Sequence, residues 1–459
     1  MIAIVVSRAD SASEHIGEHL LDVGDWERRD DPNRPDADGG GAYYRTDGFE
    51  LREFDDLHID LEDPAVAFDE TPEFLAFVSR HSGETGKLLT AHATGNFGPA
   101  PYGGEPETLA RAAPGAEKRV VEALADHAPG GYDVGIECTH HGPTGTAVPS
   151  LFVELGSDEP QWTDPEAARA VARAVLDLRG TGADLTGSAG EGDDGNPQPR
   201  HVVGFGGGHY APRFTRLVRE TEWAVGHVGA DWSLGDLGAP DANRAVIEQA
   251  FARSRADMAV IEGDRPDLAA TVEDLGHRVV SETWVREVGD RPLSLVERLE
   301  TEIATVDQGL RFGEVAPPSP DAIRVSGLPD ELLSRAQGVD ADAARAAVAA
   351  NAVAFDTEQA GTRATGRAAF AAAEESPGYD DLVADLAGVL ERGYDAVDVD
   401  DGAVVARETA FDPGLAAEQG VPEGPAFGRL ADGESVEVDG ETVAPEDVSR
   451  SRTERFPIE

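Results

Sequence analysis

Short apolar runs alternate with amphipathic segments along the first 290 residues of the chain. Residues 2–6 form an apolar run of strand length, and residues 13–23 have the spacing of an amphipathic helix. An apolar run without a polar face predicts a strand that is covered on both sides. The same criteria predict the other elements of this region: strands over 87–92, 132–139, 148–155, 201–205, 223–228 and 258–261, and helices over 72–81, 164–178 and 241–255.

Strands that alternate with helices predict an α/β fold, in which a mostly parallel sheet is flanked by helices. A Pro-Pro-Ser-Pro stretch over 317–320 predicts a linker, and the chain after it is rich in Ala, Asp and Glu. We therefore expect a first domain over 1–315 and a smaller acidic C-terminal extension of unknown role over 320–459. Within that extension, an Asp-Gly step in residues 434–443 predicts a short β-hairpin.

The charge of the chain is unusual and bears on its environment. It has 89 acidic and 38 basic residues, which gives a formal net charge of −51. Such self-repulsion is largely screened in molar salt, where the Debye length is about 3 Å. The alternative is an acidic protein built for one partner, but the acidic residues occur in every segment rather than in one tail. We therefore expect a protein adapted to a salty cytosol.

Cysteine content and hydropathy give further expectations about location. Cys138 is the single cysteine, so no internal disulfide can form, which is typical of a reducing cytosol. No run approaches the roughly 20 apolar residues that a membrane span needs, and the N-terminus lacks the basic leader of a signal peptide. The sequence predicts a soluble, cytoplasmic protein with no membrane partner.

The first candidate site follows the strand predicted over 132–139. Eleven of the twelve histidines precede residue 230, and two of them, His140 and His141, stand here beside Glu137 and Thr139. Titratable groups at a strand end cost free energy unless they are paired or used, so we treat all four as candidate catalytic residues. Adjacent side chains in a strand point to opposite faces, so one of the two histidines is expected to face a given ligand. A solvated structural turn is the alternative.

Two further segments place polar residues in apolar surroundings. His92 ends a predicted strand and leads into a glycine-containing loop with Asn96, and both are candidate substrate-binding residues. Glu154 lies within an apolar strand, where a carboxylate needs a histidine or a metal as its partner. The alternatives are an ordinary loop histidine and an edge-strand carboxylate that faces solvent.

The last segment runs from a strand through a glycine turn into a helix that is expected to begin near Pro212. Glycines let backbone N–H groups approach a ligand closely, and a helix N-terminus attracts anions. The pattern is neither a dinucleotide-binding nor a Walker motif, but it fits a phosphate or carboxylate. A tight structural turn is the alternative. The candidates here are Gly206, Gly207, Gly208, Tyr210 and Arg213 for substrate binding and His209 for catalysis.

Together these segments resemble the archaeal-type D-aminoacyl-tRNA deacylase family, which also occurs in plants. The resemblance spans roughly residues 1–290 and is carried by four motifs in order, together with Gly226-His227. The chain departs from the family pattern in Asp- and Gly-rich insertions over 25–47 and 180–200, and residues after about 315 have no counterpart in the minimal family domain. The four motifs are Ile4-Val5-Val6-Ser7, residues 137–144, residues 153–157 and residues 206–215.

The resemblance implies that domain 1–315 hydrolyses the ester between a D-amino acid and the 3′ end of tRNA. It also implies zinc dependence and a fold similar to peptidyl-tRNA hydrolases and nucleoside phosphorylases. The sequence contains no fixed-spacing zinc signature, so zinc depends mainly on the resemblance. The expected ligands are His140, His141, Glu154, His209 and His227, with His92 and Glu137 as further candidates.

The sequence favours hydrolysis by an activated water over a covalent intermediate. There is no G-x-S-x-G motif, and Cys138 has no evident base beside it. We expect His140 or His141, tuned by Glu137 or Glu154, to act as general base. Backbone N–H groups over 206–209 are expected to stabilise the oxyanion or to hold the terminal ribose-phosphate.

An acidic chain needs a local group of basic residues to bind the phosphates of tRNA. We expect Arg213, Arg216 and Arg219 to form a small basic patch, with a monomer as the active form and no protein partner. Two other functions remain open: a zinc-dependent aminohydrolase or peptidase that acts on small substrates, and a non-catalytic RNA-binding module. The second is less favoured, because RNA-binding modules depend on aromatic and basic residues more than on His and Glu.

Overall fold

The computed structural model describes residues 1–191, 197–317, 319–372, 377–400 and 402–458. The chain divides into two compact units, Met1–Arg291 and Pro292–Glu459. This division precedes the proline-rich segment at which the sequence predicts a linker, and Pro318 of that segment lies outside the described residues. The segment before the prolines belongs to the second unit because its strand β17, Arg311–Phe312, pairs with the strand Ala354–Glu358.

The first unit contains the predicted alternation of strands and helices. Its helices are α1 Ser11–Val23, α2 Pro114–His127, α3 Glu159–Trp162, α4 Pro165–Leu176, α5 Pro212–Glu220, α6 Asp231–Leu237, α7 Arg244–Ser254, α8 Pro266–Asp274 and α9 Glu282–Val288. Its strands are β1 Ile2–Ser7, β2 Glu27–Asp31, β3 Gly41–Thr46, β4 Phe49–Phe54, β5 Leu75–Arg80, β6 Leu88–His92, β7 Gly95–Asn96, β8 Thr108–Leu109, β9 Asp133–Ile136, β10 Ser150–Gly156, β11 Thr186–Glu191, β12 Pro197–Pro199, β13 His201–Phe205, β14 Ala224–Gly229, β15 Met258–Ile261 and β16 Arg278–Val279.

An eight-stranded sheet forms the larger part of this unit, with the order β2-β3-β4-β1-β5-β10-β6-β9. The central strands β4, β1, β5 and β10 are parallel to one another, whereas β6 runs antiparallel to β10. Helices α1, α2 and α4 pack with these strands and with one another. The predicted α/β class, with a mostly parallel sheet flanked by helices, is therefore confirmed.

A second sheet, of order β14-β13-β15-β16, is parallel throughout. Its apolar side chains form a core with those of α7 and α8. Strand β13 leads from this sheet into the Gly206–Gly208 turn, as the sequence predicts.

One predicted helix is wrong. Residues 72–81 contain β5, Leu75–Arg80, which lies between β1 and β10 and is buried along almost its whole length. A short apolar run covered on both faces lacks the alternation of a half-exposed strand, and periodicity alone cannot distinguish it from a buried helix. This error has a consequence for the site, because His81 follows β5 directly.

The two insertions have structure of their own. Residues 25–47 include the antiparallel pair β2 and β3, which extends the large sheet. Residues 180–200 include the paired strands β11 and β12, and residues 192–196 between them lie outside the described residues.

The second unit is a separate α/β structure. The hairpin predicted over 434–443 is confirmed as β23 and β24, and this unit has cores made of its own side chains. In the described part of the chain, no helix has both the length and the apolarity to cross a bilayer. Its elements are α10 Leu293–Glu302, β17 Arg311–Phe312, β18 Ile323–Gly327, α11 Asp330–Val339, α12 Ala341–Asn351, β19 Ala354–Glu358, β20 Arg363–Ala371, α13 Tyr379–Leu390, β21 Ala396–Asp400, β22 Ala403–Phe411, α14 Pro413–Glu418, α15 Pro425–Ala431, β23 Val436–Val438, β24 Glu441–Val443 and β25 Ser449–Pro457.

Candidate active site

Four adjacent strands of the large sheet bring titratable side chains into one cluster. His81 follows β5, His92 ends β6, Glu137 follows β9, and Glu154 lies within β10. The order β5-β10-β6-β9 makes these strands neighbours. His209, which follows the glycine turn after β13, joins the cluster from the second sheet.

Glu137 is the centre of the first half of this cluster. Its side chain is 0% exposed, with Thr90 Oγ1 at 2.5 Å and His81 Nδ1 at 3.1 Å from Oε1. His209 Nε2 lies 2.7 Å from Oε2. Burial alone would raise the pKa of Glu137, but hydrogen bonds from His209 and His81 outweigh it and hold that pKa well below its usual value. Glu137 is therefore an ionised carboxylate that orients two imidazoles.

Glu154 is the second buried carboxylate. Ser79 Oγ donates to its Oε1 at 2.8 Å, and His81 Nδ1 lies 3.4 Å from its Oε2. His81 thus lies between the two carboxylates. Burial lowers the pKa of His81, but the hydrogen bonds to Glu137 and Glu154 outweigh that effect and raise the pKa to about 11. Sequence analysis missed His81, which it would have placed at a strand end if β5 had been recognised.

Three other imidazoles share one orientation. The Nδ1 atoms of His92, His140 and His141 lie 3.0, 2.8 and 2.8 Å from the backbone carbonyls of Ala93, Cys138 and Gly142. Because a carbonyl only accepts, each Nδ1 carries a hydrogen. Burial and the neighbouring imidazoles lower the pKa of His140 and His141, so their Nε2 atoms keep a lone pair. Burial also lowers the pKa of His92, but Glu154, 3.7 Å from its Nε2, outweighs that effect and raises the pKa. The Nε2 of His92 is buried and has no hydrogen-bond partner among the described residues.

This arrangement fits a metal ion. One ligand atom from each of His92, His140 and His141 lies within 4.8 Å of the others. Three imidazoles, each anchored through Nδ1, form a donor set that zinc uses in catalytic sites, where the metal takes the place of a proton at Nε2. Two further groups in the described residues meet the same distance limit: Cys138 with His140 and His209, and His81 with Glu137 and Glu154.

His227 does not belong to these groups. Its Nε2 lies 2.8 Å from the carbonyl of Ala110, and its Nδ1 lies 3.1 Å from Thr139 Oγ1. Both ring nitrogens are therefore engaged in the fold, and the expected metal-ligand role of His227 is not supported. Thr139 also accepts a hydrogen bond from the backbone N–H of Val228, so its hydroxyl joins two segments of the chain rather than acting as a free catalytic group.

Cys138 is buried beside this cluster. Its Sγ lies 3.7 Å from His209 Nδ1, and burial raises the pKa of the thiol to about 12. A thiol that keeps its proton is a poor nucleophile. The expectation of a reaction without a covalent cysteine intermediate is consistent with this environment.

The glycine turn is required by close packing of the backbone. Gly206 has φ +97°, and a Cβ there would lie 2.3 Å from the carbonyl oxygen of Glu262. Its N–H donates to Gly229, and the carboxylate of Glu262 lies close to the position that a Cβ of Gly207 would take. Gly206, Gly207 and Gly208 line neither of the two site cavities formed by the described residues.

The predicted basic patch is also different in the structure. Arg213 Nε and Arg216 Nη2 lie 3.2 and 3.3 Å from the same carboxylate oxygen of Glu282. Arg286 pairs with the same carboxylate, so one acidic side chain offsets only part of the charge of three arginines.

Two cavities open at the cluster. The larger, of about 490 Å³, is lined by Arg80, His81, Tyr210 and Glu154 among others. The smaller, of about 230 Å³, is lined by Asn96 and by several apolar side chains. Both share Tyr102, His140 and His209. Of the predicted substrate-binding residues, Tyr210 and Asn96 line these cavities, whereas His92 is fully buried and lines neither.

Comparison with known proteins gives consistent matches. A family model described as D-aminoacyl-tRNA deacylase matches residues 68–280. A D-aminoacyl-tRNA deacylase from Halorubrum lacusprofundi is 82% identical over 100% of this chain and 97% of its own, and one from Natronomonas pharaonis is 54% identical over 99% and 100%. A solved structure of a conserved protein of unknown function is 29% identical with a TM-score of 0.54, and covers 63% of this chain and 98% of its own.

Proposed function

This chain belongs to the D-aminoacyl-tRNA deacylase family, and from that premise we propose that it hydrolyses the ester between a D-amino acid and tRNA at the Glu137–Glu154 cluster. The products are a free D-amino acid and tRNA, so the reaction removes D-amino acids before they enter translation. The observation that carries this assignment is the convergence of two buried carboxylates and five imidazoles in one cluster. Glu154 and four of these imidazoles line the larger cavity.

The chain's residues suit zinc, and we propose that His92, His140 and His141 hold it. The support is the unpartnered Nε2 of His92 together with the three Nδ1 atoms that are anchored to carbonyls. A bound zinc ion lowers the pKa of its water ligand and so supplies hydroxide near neutral pH.

His209 and Glu137 form the proton-handling pair of this proposal. The Nε2–H of His209 donates to Glu137, which leaves the lone pair at Nδ1. The Cys138 thiol lies 3.7 Å from that atom. When a water replaces the thiol as the partner of Nδ1, the ring accepts a proton from the water and returns it to the ribose oxygen as the ester breaks. Glu137 stabilises the imidazolium that forms, as a carboxylate does for the histidine of a catalytic triad. His140 and His141, expected from the sequence to act as base, are instead assigned to the metal.

Three finer points are also proposals. All the site residues come from one unit of one chain, so we propose that a monomer is sufficient for activity. We propose a cytoplasmic location, because aminoacyl-tRNA is made and used there. We also propose that the fold of the first unit is related to peptidyl-tRNA hydrolases and nucleoside phosphorylases, as the resemblance implies.

The proposed function is tested with D-Tyr-tRNA and L-Tyr-tRNA made from the same tRNA and assayed in molar potassium chloride. We expect release of D-tyrosine and no release of L-tyrosine above the uncatalysed rate. A parallel assay with D-tyrosine ethyl ester tests whether a small ester is sufficient as substrate. Equal rates on the two tRNAs, or hydrolysis of the small ester alone, would show that the assignment is wrong.

A further inference from the structure

The smaller cavity has walls unlike those of its neighbour. Phe97, Pro99, Pro101 and Trp232 line it, and its polar lining residues include Asn96. It meets the larger cavity at His140, His209 and Tyr102. A ligand that reacts at the cluster could therefore extend into both cavities.

Exposed aromatic side chains mark this cavity. Among the described residues, the large hydrophobic side chains that are exposed include two aromatic ones, Tyr102 at 63% and Trp232 at 46%. Both line the smaller cavity. The indole of Trp232 lies within 18° of parallel to the ring of His209, with 6.5 Å between the ring centroids. Aromatic rings that remain exposed in one place usually indicate a binding surface, here for a flat ligand.

Asn96 indicates the chemistry of that ligand. Its Nδ2 donates to the carbonyls of Gly103 at 3.0 Å and Glu105 at 3.3 Å, which fixes the orientation of the amide. Its Oδ1 is buried and has no hydrogen-bond partner among the described residues. A buried acceptor without a donor is costly, so the residue suits a ligand that supplies an N–H group.

We propose that the smaller cavity binds the terminal adenine of tRNA, with the base stacked on Trp232 and its 6-amino group donating to Asn96 Oδ1. This inference rests on the proposed function. In an aminoacyl-tRNA the ester joins the terminal ribose to the amino acid, so the reacting carbon lies between the adenosine and the amino-acid side chain. Two cavities that meet at His140 and His209 match that arrangement, and the larger one then holds the D-amino acid.

Stacking of the terminal adenine on Trp232 also explains how so acidic a chain can bind tRNA. Contacts to phosphates weaken steeply with salt, and Arg213 and Arg216 are already paired with Glu282. A stacked base depends on an aromatic face rather than on charge, and every tRNA carries the same terminal adenine.

The first test is Trp232→Ala in molar potassium chloride, with KM and kcat measured separately on D-Tyr-tRNA. Base–aromatic stacking is worth about 1–3 kcal/mol, so KM should rise about 5- to 150-fold while kcat changes by less than about threefold. Trp232→Phe keeps a stacking face and should recover most of the affinity. Trp26→Ala, far along the chain from the site, is the matched control and should leave KM unchanged.

A second test changes the terminal base of the tRNA. D-Tyr-tRNA ending in purine riboside lacks the 6-amino group, and its KM with the wild-type enzyme should exceed that of adenine-ended tRNA by about 5-fold or more. A further comparison uses Trp232→Ala with two substrates. This variant should raise KM by the same factor for D-Ala-tRNA as for D-Tyr-tRNA. If the loss follows the size of the amino acid and not the terminal base, the cavity holds the amino-acid side chain and the proposal is wrong.

Binding can be measured apart from the reaction. The trinucleotide CCA, without an amino acid, should quench the tryptophan fluorescence of the full chain, and the quenching should be largely lost in Trp232→Phe. An enzyme that fails on D-aminoacyl-tRNA yet shows this quenching would refute the proposed function and leave the adenine site standing. An enzyme that hydrolyses D-aminoacyl-tRNA but shows neither the quenching nor the KM effect would refute the adenine site alone.

Discussion

At the scale of single residues, the site depends on which ring nitrogen carries the hydrogen. Backbone carbonyls hold the Nδ1–H of His92, His140 and His141, so a metal would meet these rings at their Nε2 atoms. His227 shows the opposite case, in which both nitrogens are used by the fold. Sequence alone cannot separate these two cases. The partners of His227 are distant in the chain, and those of the other three histidines are nearby carbonyls that the ring meets only in one orientation.

We predict that His140→Ala loses both bound zinc and activity. Removal of one of three imidazole ligands should lower the metal content of the purified protein and reduce turnover by at least about 100-fold. Metal content is measured by plasma mass spectrometry, and turnover on D-Tyr-tRNA. His127→Ala, whose ring pairs with Asp177 outside the cluster, is the control and should keep both. Full zinc content in folded His140→Ala would remove this residue from the metal site.

Several site residues could be predicted from the sequence and others could not. Glu137, His140 and His141 were found because polar groups at the end of an apolar strand are costly unless used. His81 is missed because β5 is apolar on both faces, a pattern that does not distinguish a buried strand from a buried helix. Trp232 was missed because α6 carries no motif, and its exposure is visible only in the folded chain.

At the scale of elements, His201 joins two segments to the start of β13. Its Nε2 accepts the N–H of Leu185 at 2.8 Å, and its Nδ1–H donates to the carbonyl of Ser254 at 2.8 Å. Burial lowers the pKa of His201 to about 4, with the charge of Asp184 acting against this effect and that of Arg111 adding to it. The ring is therefore neutral in the folded protein at pH values where it is protonated in the unfolded chain.

The sign of the resulting pH effect follows from linkage. Below pH 6.5 the unfolded chain binds a proton at His201 that the folded chain does not bind until about pH 4. Stability contributed by this group is complete above pH 6.5 and is lost as the pH falls towards 4, which amounts to about 2 kcal/mol between pH 7 and pH 5.

We predict that His201→Gln reduces the loss of unfolding free energy between pH 7 and pH 5 by about 2 kcal/mol. The measurement is denaturant unfolding in molar salt at both pH values. Val203→Ala, a cavity-forming change in the same buried strand, should lower stability equally at the two pH values. An unchanged pH dependence in His201→Gln would contradict the proposed neutral state.

At the scale of the whole molecule, each unit has apolar clusters of its own. Among the described residues, two such clusters contain only residues before 292 and two contain only residues after it. The matching family model ends at residue 280, and the solved relative covers 63% of this chain with 98% of its own length. The first unit therefore has the features of a domain that folds independently.

We predict that a chain ending at Arg291 folds and keeps most of its turnover on saturating D-Tyr-tRNA in high salt. A chain ending at residue 315 should be less stable, because it would retain α10 and β17 without the strand that β17 pairs with. Circular dichroism and a cooperative melt establish folding before turnover is compared. If the folded 1–291 chain is more than about 100-fold slower, a loss of the size expected for missing general acid–base chemistry, the second unit completes the active site.

The division of the chain into two units shows how far amino-acid composition can predict a domain boundary. The change to an Ala-rich, acidic composition predicts a boundary at the prolines, whereas the compact units divide at Arg291, with α10 and β17 in the second unit. Composition shows where the frequency of amino-acid types changes, whereas strand pairing determines which segments fold together.

The most direct test of the central claim is the single-turnover rate of Glu137→Gln on D-Tyr-tRNA, measured beside the wild type with L-Tyr-tRNA in parallel. Gln keeps the shape of Glu137 but cannot stabilise an imidazolium at His209. We predict that the wild type hydrolyses the D-form selectively and that folded Glu137→Gln is about 10²- to 10⁴-fold slower, the range expected for general base catalysis. A folded variant that reacts at the wild-type rate, or a wild type that does not distinguish the two tRNAs, would contradict the account.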